Sequence, residues 1–226
     1  MIDFNKRFSL LKSDIALAQR AALIVSFISD YIEENKADLD DYHYDEFLKS
    51  TVVTHKVSGI IALHKIFDTD KKTQSINFLM SWLKKNEGQF EISELRKRKI
   101  QIGLSQVEAD KFVESAHHFT KQDFDQIYSR KSKLQKLHDG QVKDLRNRSY
   151  AHREDIDPEL YPDLIKPVKV KTVKELACGA DGIFEDIWMA YYNGLPFSGQ
   201  DREYWNKDKV FEHTKRYLDV YRRSKK

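Results

Sequence analysis

Between Phe8 and Ile32 the apolar residues Phe8, Leu11, Ile15, Ala18, Ala22, Val25, Ile28 and Ile32 follow one another at steps of three or four. That spacing lays a continuous stripe along a helix of 3.6 residues per turn and does not suit a strand, whose faces alternate residue by residue. It predicts a long first helix over about residues 5–35. The period returns in Val52, Val53, Val57, Ile60, Ile61, Leu63, Ile66 and Phe67, predicting a helix over roughly 44–67. Ile76, Leu79, Met80, Trp82 and Leu83 predict another over roughly 74–86, with Thr73 or Ser75 as N-cap. Ser105-Gln106-Val107-Glu108 has the form of a capping box and opens a helix to about His118. A further helix runs from about Asp123 to Tyr150, with Gly140 as a weak point inside it. Thr172-Val173-Lys174-Glu175 has the form of a second capping box, opening a helix to about Asn193, and a last helix is expected over about 207–223. The stretch Phe90–Ile102, with Arg96-Lys97-Arg98-Lys99 inside it, reads equally as a helix end or a loop.

Few residues interrupt these runs. The 226-residue chain has 8 Gly and 4 Pro, about half the usual share or less, and Pro158, Pro162 and Pro167 all fall in one connection after Tyr150. With 40% apolar and 33% charged residues there is material for both a core and a solvated outer face. The expectation is an all-α helical bundle of about six to eight helices, forming a single domain over residues 1–226. The one cysteine, Cys178, sits among small apolar neighbours; it excludes an internal disulfide framework and reads as a core residue. The longest apolar run, Ala21–Ile28, is too short to span a bilayer, and the first residues carry no cleavable signal. No membrane association is expected, and the expected location is cytoplasmic.

The net charge of +3 is small, but the charges are unevenly placed. Residues 30–46 carry eight acids against Lys36, whereas residues 130–153 carry Arg130, Lys131, Lys133, Lys136, Lys143, Arg146, Arg148 and Arg153 against Asp139 and Asp144. The second segment suits a polyanion; its plainer reading is a solvated helix face. No glycine-rich phosphate loop, paired-cysteine metal motif, His-Glu-x-x-His or Gly-x-Ser-x-Gly occurs, so neither a metal nor a cofactor is expected. Of the histidines, adjacent His117 and His118 would point about 100° apart on a helix, which does not suit a ligand pair. His55 and His64 lie among apolar residues and read as satisfied core or interface side chains.

His152 differs because of its company: it follows a basic stretch and has Arg146 and Arg148 just upstream. An imidazole and a guanidinium beside a phosphodiester suffice for metal-free RNA cleavage. The imidazole transfers a proton to or from the 2′-hydroxyl or the leaving oxygen near neutral pH. The guanidinium holds the phosphate and stabilises the charge that develops on it. Arg146 and His152 are six residues apart, about 240° around an unbroken helix. Either the helix loosens before His152 or two copies of the chain assemble the site. Arg148, four residues from His152, would share its face and competes for the phosphate role.

Arg146-Asn147-Arg148-Ser149-Tyr150-Ala151-His152 resembles the Arg-x(4–6)-His motif of the HEPN superfamily, with a polar residue after the arginine. The bare pattern would arise about once by chance in such a chain, so its weight comes from context. Upstream, Ile60-Ile61-Ala62-Leu63-His64-Lys65-Ile66-Phe67-Asp68 followed by Thr73-Gln74-Ser75-Ile76-Asn77-Phe78-Leu79 resembles the AbiU-type abortive-infection branch. The resemblance covers about residues 10–155 as a HEPN-like core, leaving a C-terminal helical extension over about 172–224. It implies a dimeric all-α domain with two motifs facing each other, acting as an endoribonuclease in phage defence or a toxin–antitoxin system. Arg146 and His152 would be the catalytic pair and Asn147 the polar helper. Arg148, Lys143, Lys136, Lys133 and Tyr150 would contact RNA. The implied partners are RNA, a second copy of the chain and an antitoxin protein. Some HEPN toxins carry, two residues after the histidine, a tyrosine that a partner modifies; Glu154 stands there in this chain, which disfavours neutralisation by that route. The alternative is a HEPN-like module that binds RNA or a protein without cutting.

Overall fold

Helices form where the three-and-four spacing holds. The computed structural model describes residues 4–34, 42–70, 72–143, 168–202 and 207–223. Among them are no strands and nine α-helices: α1 (Phe4–Arg7), α2 (Ser9–Glu34), α3 (Tyr42–Ile66), α4 (Ile76–Lys85), α5 (Ile92–Gln101), α6 (Gln106–Glu114), α7 (Lys121–Gln141), α8 (Val170–Asn193) and α9 (Lys207–Arg223). A short 3-10 turn, Glu87–Phe90, precedes α5. The all-α expectation holds. Eight of the nine helices are longer than two turns, in line with the expected six to eight; α1 is a separate single turn, and the ambiguous Phe90–Ile102 stretch is largely helical.

Local chemistry sets most boundaries. Ser75, not Thr73, caps α4: its Oγ accepts from the Phe78 N–H at 3.3 Å and donates to the Asp68 carbonyl at 2.7 Å. Ser105 and Glu108 form the expected capping box on α6. That helix ends at Glu114 rather than near His118, because the His117 N–H bonds the Gly194 carbonyl at 2.8 Å instead of a carbonyl one turn back. Thr120 and Asp123 start α7 reciprocally, with Thr120 N–H donating to Asp123 Oδ2 at 2.7 Å and Asp123 N–H to Thr120 Oγ at 3.4 Å. Thr172 does not cap its helix. α8 begins earlier, at Val170, and the Thr172 hydroxyl donates to Gln141 Oε1 at 2.7 Å.

The chain divides into two compact units, each assembled from three stretches of sequence. The first comprises Met1–Ser13, Lys65–Lys136 and Gly179–Arg202. Its core is aromatic: Phe4 meets Trp82, Phe184 and Tyr191 with ring centroids 5.4, 5.7 and 5.7 Å away, and Phe90 meets Phe119 and Phe124 at 5.6 and 5.7 Å. Such stacked, tilted and edge-to-face pairs each add about 0.5–1.5 kcal/mol beyond burial. The second unit comprises Asp14–His64, Leu137–Cys178 and Glu203–Lys226, and its core is aliphatic. Ile15, Ala18, Ala22, Val25 and Ile28 of α2 are all at most 3% exposed there, the stripe read from the sequence. Gly59 of α3 lets two helices approach: a Cβ on it would lie 3.2 Å from Ala21 Cβ and 3.3 Å from Val173 Cγ1. Ile28, Leu48 and Leu218 form a second cluster in this unit. Cys178 is buried, as its small neighbours suggest.

By length and composition alone α2 would suffice to cross a membrane, although its longest uninterrupted apolar run is short. Its stripe Ile15, Ala18, Ala22, Val25 and Ile28 packs in the second unit's core, whereas Leu17 is 41% exposed.

Candidate functional site

Arg146, Asn147, Arg148, Tyr150 and His152 lie outside the described residues, as do Glu154 and the three clustered prolines. The chain on either side of them is firmly held in the second unit. Val142 and Val168 are both 0% exposed. The Val142 N–H bonds the His138 carbonyl at 2.8 Å, and the Thr172–Gln141 hydrogen bond joins the end of α7 to the start of α8. The described residues that flank 144–167 are thus tied to each other within the second unit.

The basic run that precedes the motif divides by role. Lys133, Lys136 and Lys143 are exposed, each available to a polyanion. Arg130 is not. Its Nη1 lies 3.1 Å from Asp186 Oδ2 and its Nη2 2.7 Å from Asp201 Oδ1, within the first unit. Asp186, 2% exposed, also accepts from Ser198 N–H at 3.0 Å, Ser198 Oγ–H at 2.6 Å and Gly199 N–H at 3.1 Å. Gly182 is required beside this knot: a Cβ there would come within 2.2 Å of both Arg130 Nη2 and the Gln200 carbonyl. Arg130 thus fixes the segment after α8 and is spent as a structural cation.

The histidines follow the same division. His55 Nδ1 lies 2.9 Å from the Thr51 carbonyl. His117 Nε2 lies 3.2 Å from Asp123 Oδ1. His138, eight residues before Arg146, is 3% exposed, with its ring 5.1 Å from the His64 ring in an edge-to-face arrangement. Burial pushes the His138 imidazole below its ordinary range, against the opposing pull of Asp139, whose Oδ1 is 3.1 Å from Nδ1. It is held neutral at neutral pH. Among the described residues no group of three His, Cys, Asp or Glu side chains could hold a metal ion.

Two cations escaped the sequence reading. Arg98 and Lys99, in the stretch left open between helix and loop, are 6% and 9% exposed. The Arg98 guanidinium lies 4.2 Å from the Tyr191 ring centroid and donates to the Gln89 carbonyl at 2.7 Å. The Lys99 ammonium lies 3.9 Å from the Phe112 centroid. These are cation–π contacts. Burial lowers the proton affinity of both groups, and the Arg98 charge lowers that of Lys99 further. Nothing local in Arg96-Lys97-Arg98-Lys99 marks them as internal; the rings that cover them belong to other helices, Tyr191 to α8 and Phe112 to α6.

Comparison with protein-family models places this all-helical chain in the HEPN class. The chain belongs to the AbiU2 family of HEPN domains, whose model matches residues 1–210, and is an abortive-infection-related module. The match runs past the 10–155 span of the resemblance and takes in α8. Comparison with the curated proteins and with the solved structures gives no match.

Proposed function

We propose that this protein is a metal-independent endoribonuclease acting in phage defence or a toxin–antitoxin system, with Arg146 and His152 as its catalytic pair. The observation that carries this reading is the HEPN family match over residues 1–210, which spans the Arg146–His152 segment. The RNA 2′-oxygen attacks the adjacent phosphorus as its proton passes to an imidazole. The bond to the 5′-oxygen breaks as that oxygen gains a proton, giving a 2′,3′-cyclic phosphate and a 5′-hydroxyl. Arg146 balances the charge on the phosphoryl oxygens, and Asn147 orients it by hydrogen bonding. Arg148 and Tyr150, with Lys133, Lys136 and Lys143, hold the strand. The spacing of six residues favours a site completed by a second copy of the chain. A homodimer, an antitoxin protein and a cytoplasmic setting belong to the same proposal.

The test is cleavage of RNA in EDTA by the wild-type protein and by His152→Ala and Arg146→Ala. Loss of about 10²–10⁴-fold in rate is expected for the histidine variant. Equal cleavage by all three, or none by wild type at high concentration, overturns the proposal. The exposure of Lys133, Lys136 and Lys143 favours a second reading, RNA binding without cleavage. That reading expects salt-dependent affinity indifferent to His152.

A further inference from the structure

The first unit contains a cleft of about 470 Å³ beside α4, within the range of ~300–1,000 Å³ common for small-molecule sites. α4 sends Ile76, Leu79, Met80 and Leu83 into the core. Its opposite face, Phe78, Ser81 and Lys85, lines the cleft, at spacings of three and four that align along a helix. Arg7 forms part of the facing wall, its guanidinium 5.3 Å from the Phe78 ring centroid. Its backbone is pinned on both sides, since Phe4 and Phe8 are each 0% exposed. The start of α4 is equally fixed by the Ser75 cap and by Gln74, whose Oε1 accepts from the Leu10 N–H at 3.1 Å.

Among the described residues neither Arg7 nor Lys85 forms an ion pair, and the cleft lining carries these two cations against a single acid. The one acid in the lining, Asp70, has its Oδ1 engaged by the Lys72 N–H at 2.9 Å. That bond orients the carboxylate and leaves it acceptor capacity. Two cations, a hydroxyl one turn before the lysine, an aromatic ring carrying a stacked guanidinium, and a fixed carboxylate make a mixed set of groups. A bare anion would use only the cations. A nucleoside phosphate uses all of them: phosphate oxygens on Arg7, Lys85 and the Ser81 hydroxyl, the planar base against the Arg7–Phe78 pair, and a ribose hydroxyl or base amine donating to Asp70.

We propose that this cleft is a binding site for a nucleoside phosphate, separate from the Arg146–His152 segment. The ligand is either a free nucleotide or the terminal nucleotide of an RNA strand, which share this chemistry. The experiment uses full-length His152→Ala protein, so that cleavage plays no part, and isothermal titration calorimetry at low salt. The probes are AMP, ATP, adenosine, inorganic phosphate and a short 5′-phosphorylated oligoribonucleotide. A nucleoside phosphate, free or at the strand end, should bind saturably and at least about tenfold more tightly than adenosine or phosphate. Arg7→Met and Lys85→Met should each weaken it about tenfold or more. Both side chains are exposed, so matched thermal melts confirm that folding is intact. Competition of AMP with the oligonucleotide assigns the free nucleotide as ligand, and oligonucleotide binding that AMP fails to displace assigns the strand end. Absence of saturable binding by AMP, ATP and oligonucleotide overturns the proposal. So does phosphate binding as tightly as AMP, or affinity that Arg7→Met and Lys85→Met leave within about twofold.

Discussion

Replacing Arg130 with Met keeps most of the aliphatic stem and removes only the guanidinium. Asp186, 2% exposed, would then keep three neutral donors, from Ser198 and Gly199, and lose its cation. Removing one partner of a buried ion pair costs about 3–5 kcal/mol, because the remaining charge stays uncompensated in a poorly polarisable site. The three surviving bonds hold the loss toward the lower end. The second bridge, to Asp201, involves a carboxylate 54% exposed and adds only ~0.2–1 kcal/mol. The expected cost is therefore about 3 kcal/mol. For a chain of this size each kcal/mol corresponds to roughly 2–4 °C in Tm, so a fall of about 6–12 °C should follow. Urea unfolding monitored by far-UV circular dichroism measures the free energy directly. Adding Asp186→Asn to Arg130→Met removes the stranded charge, so the double variant should lose at least ~1 kcal/mol less than the sum of the two single losses. An Arg130→Met protein within ~0.5 kcal/mol of wild type, or strictly additive losses, would refute the reasoning.

Three further outcomes can be checked. Gly194 has φ +62°, and a Cβ there would lie 2.5 Å from Leu95 Cδ2 and 2.8 Å from Ala116 Cβ; Gly194→Ala should lower stability by about 2 kcal/mol or more in the same urea assay. The His138 imidazole is held below its ordinary value of 6.5 by burial, so the unfolded chain binds its proton more readily. Its contribution is complete above pH ~6.5 and declines as pH falls below that value, and His138→Gln should flatten the dependence of the urea midpoint on pH between about 7 and 5. Under the ribonuclease proposal, Lys133→Gln, Lys136→Gln or Lys143→Gln should each reduce the salt dependence of single-stranded RNA affinity by about 0.7 in the log–log slope; unchanged slopes would remove that lysine from the interface.

What the sequence disclosed depended on whether the determining contacts were local. The stripe of α2 and the caps at Ser75 and Ser105 act within one or two helical turns, and all are where their spacing predicts. The family-like segments were legible for the same reason: each is contiguous, and the order of residues carries it. The fates of Arg98, Arg130 and Thr172 were not. Arg98 is internal because Tyr191 stacks on it, Arg130 is spent because Asp186 is buried beside it, and Thr172 fails to cap because Gln141 takes its hydroxyl. Each partner is remote in sequence, so a run of basic residues could not be sorted into internal and solvent-facing charges. The α4 cleft was equally hidden, since Arg7 and Lys85, far apart in sequence, come to line it only after folding.

Cys178 gives the second unit a built-in clock. It is the chain's one cysteine, buried at 7% exposure, with Gln19 of α2 4.0 Å from its sulfur. A thiol reagent can reach it only when the packing around α8 opens, so its labelling rate is the rate for an accessible thiol multiplied by the fraction of molecules open at that instant. An opening free energy of about 4 kcal/mol slows labelling by roughly a thousandfold. Labelling the unaltered protein with and without RNA would thus time the breathing of the second unit, with no probe introduced and no cleavage required.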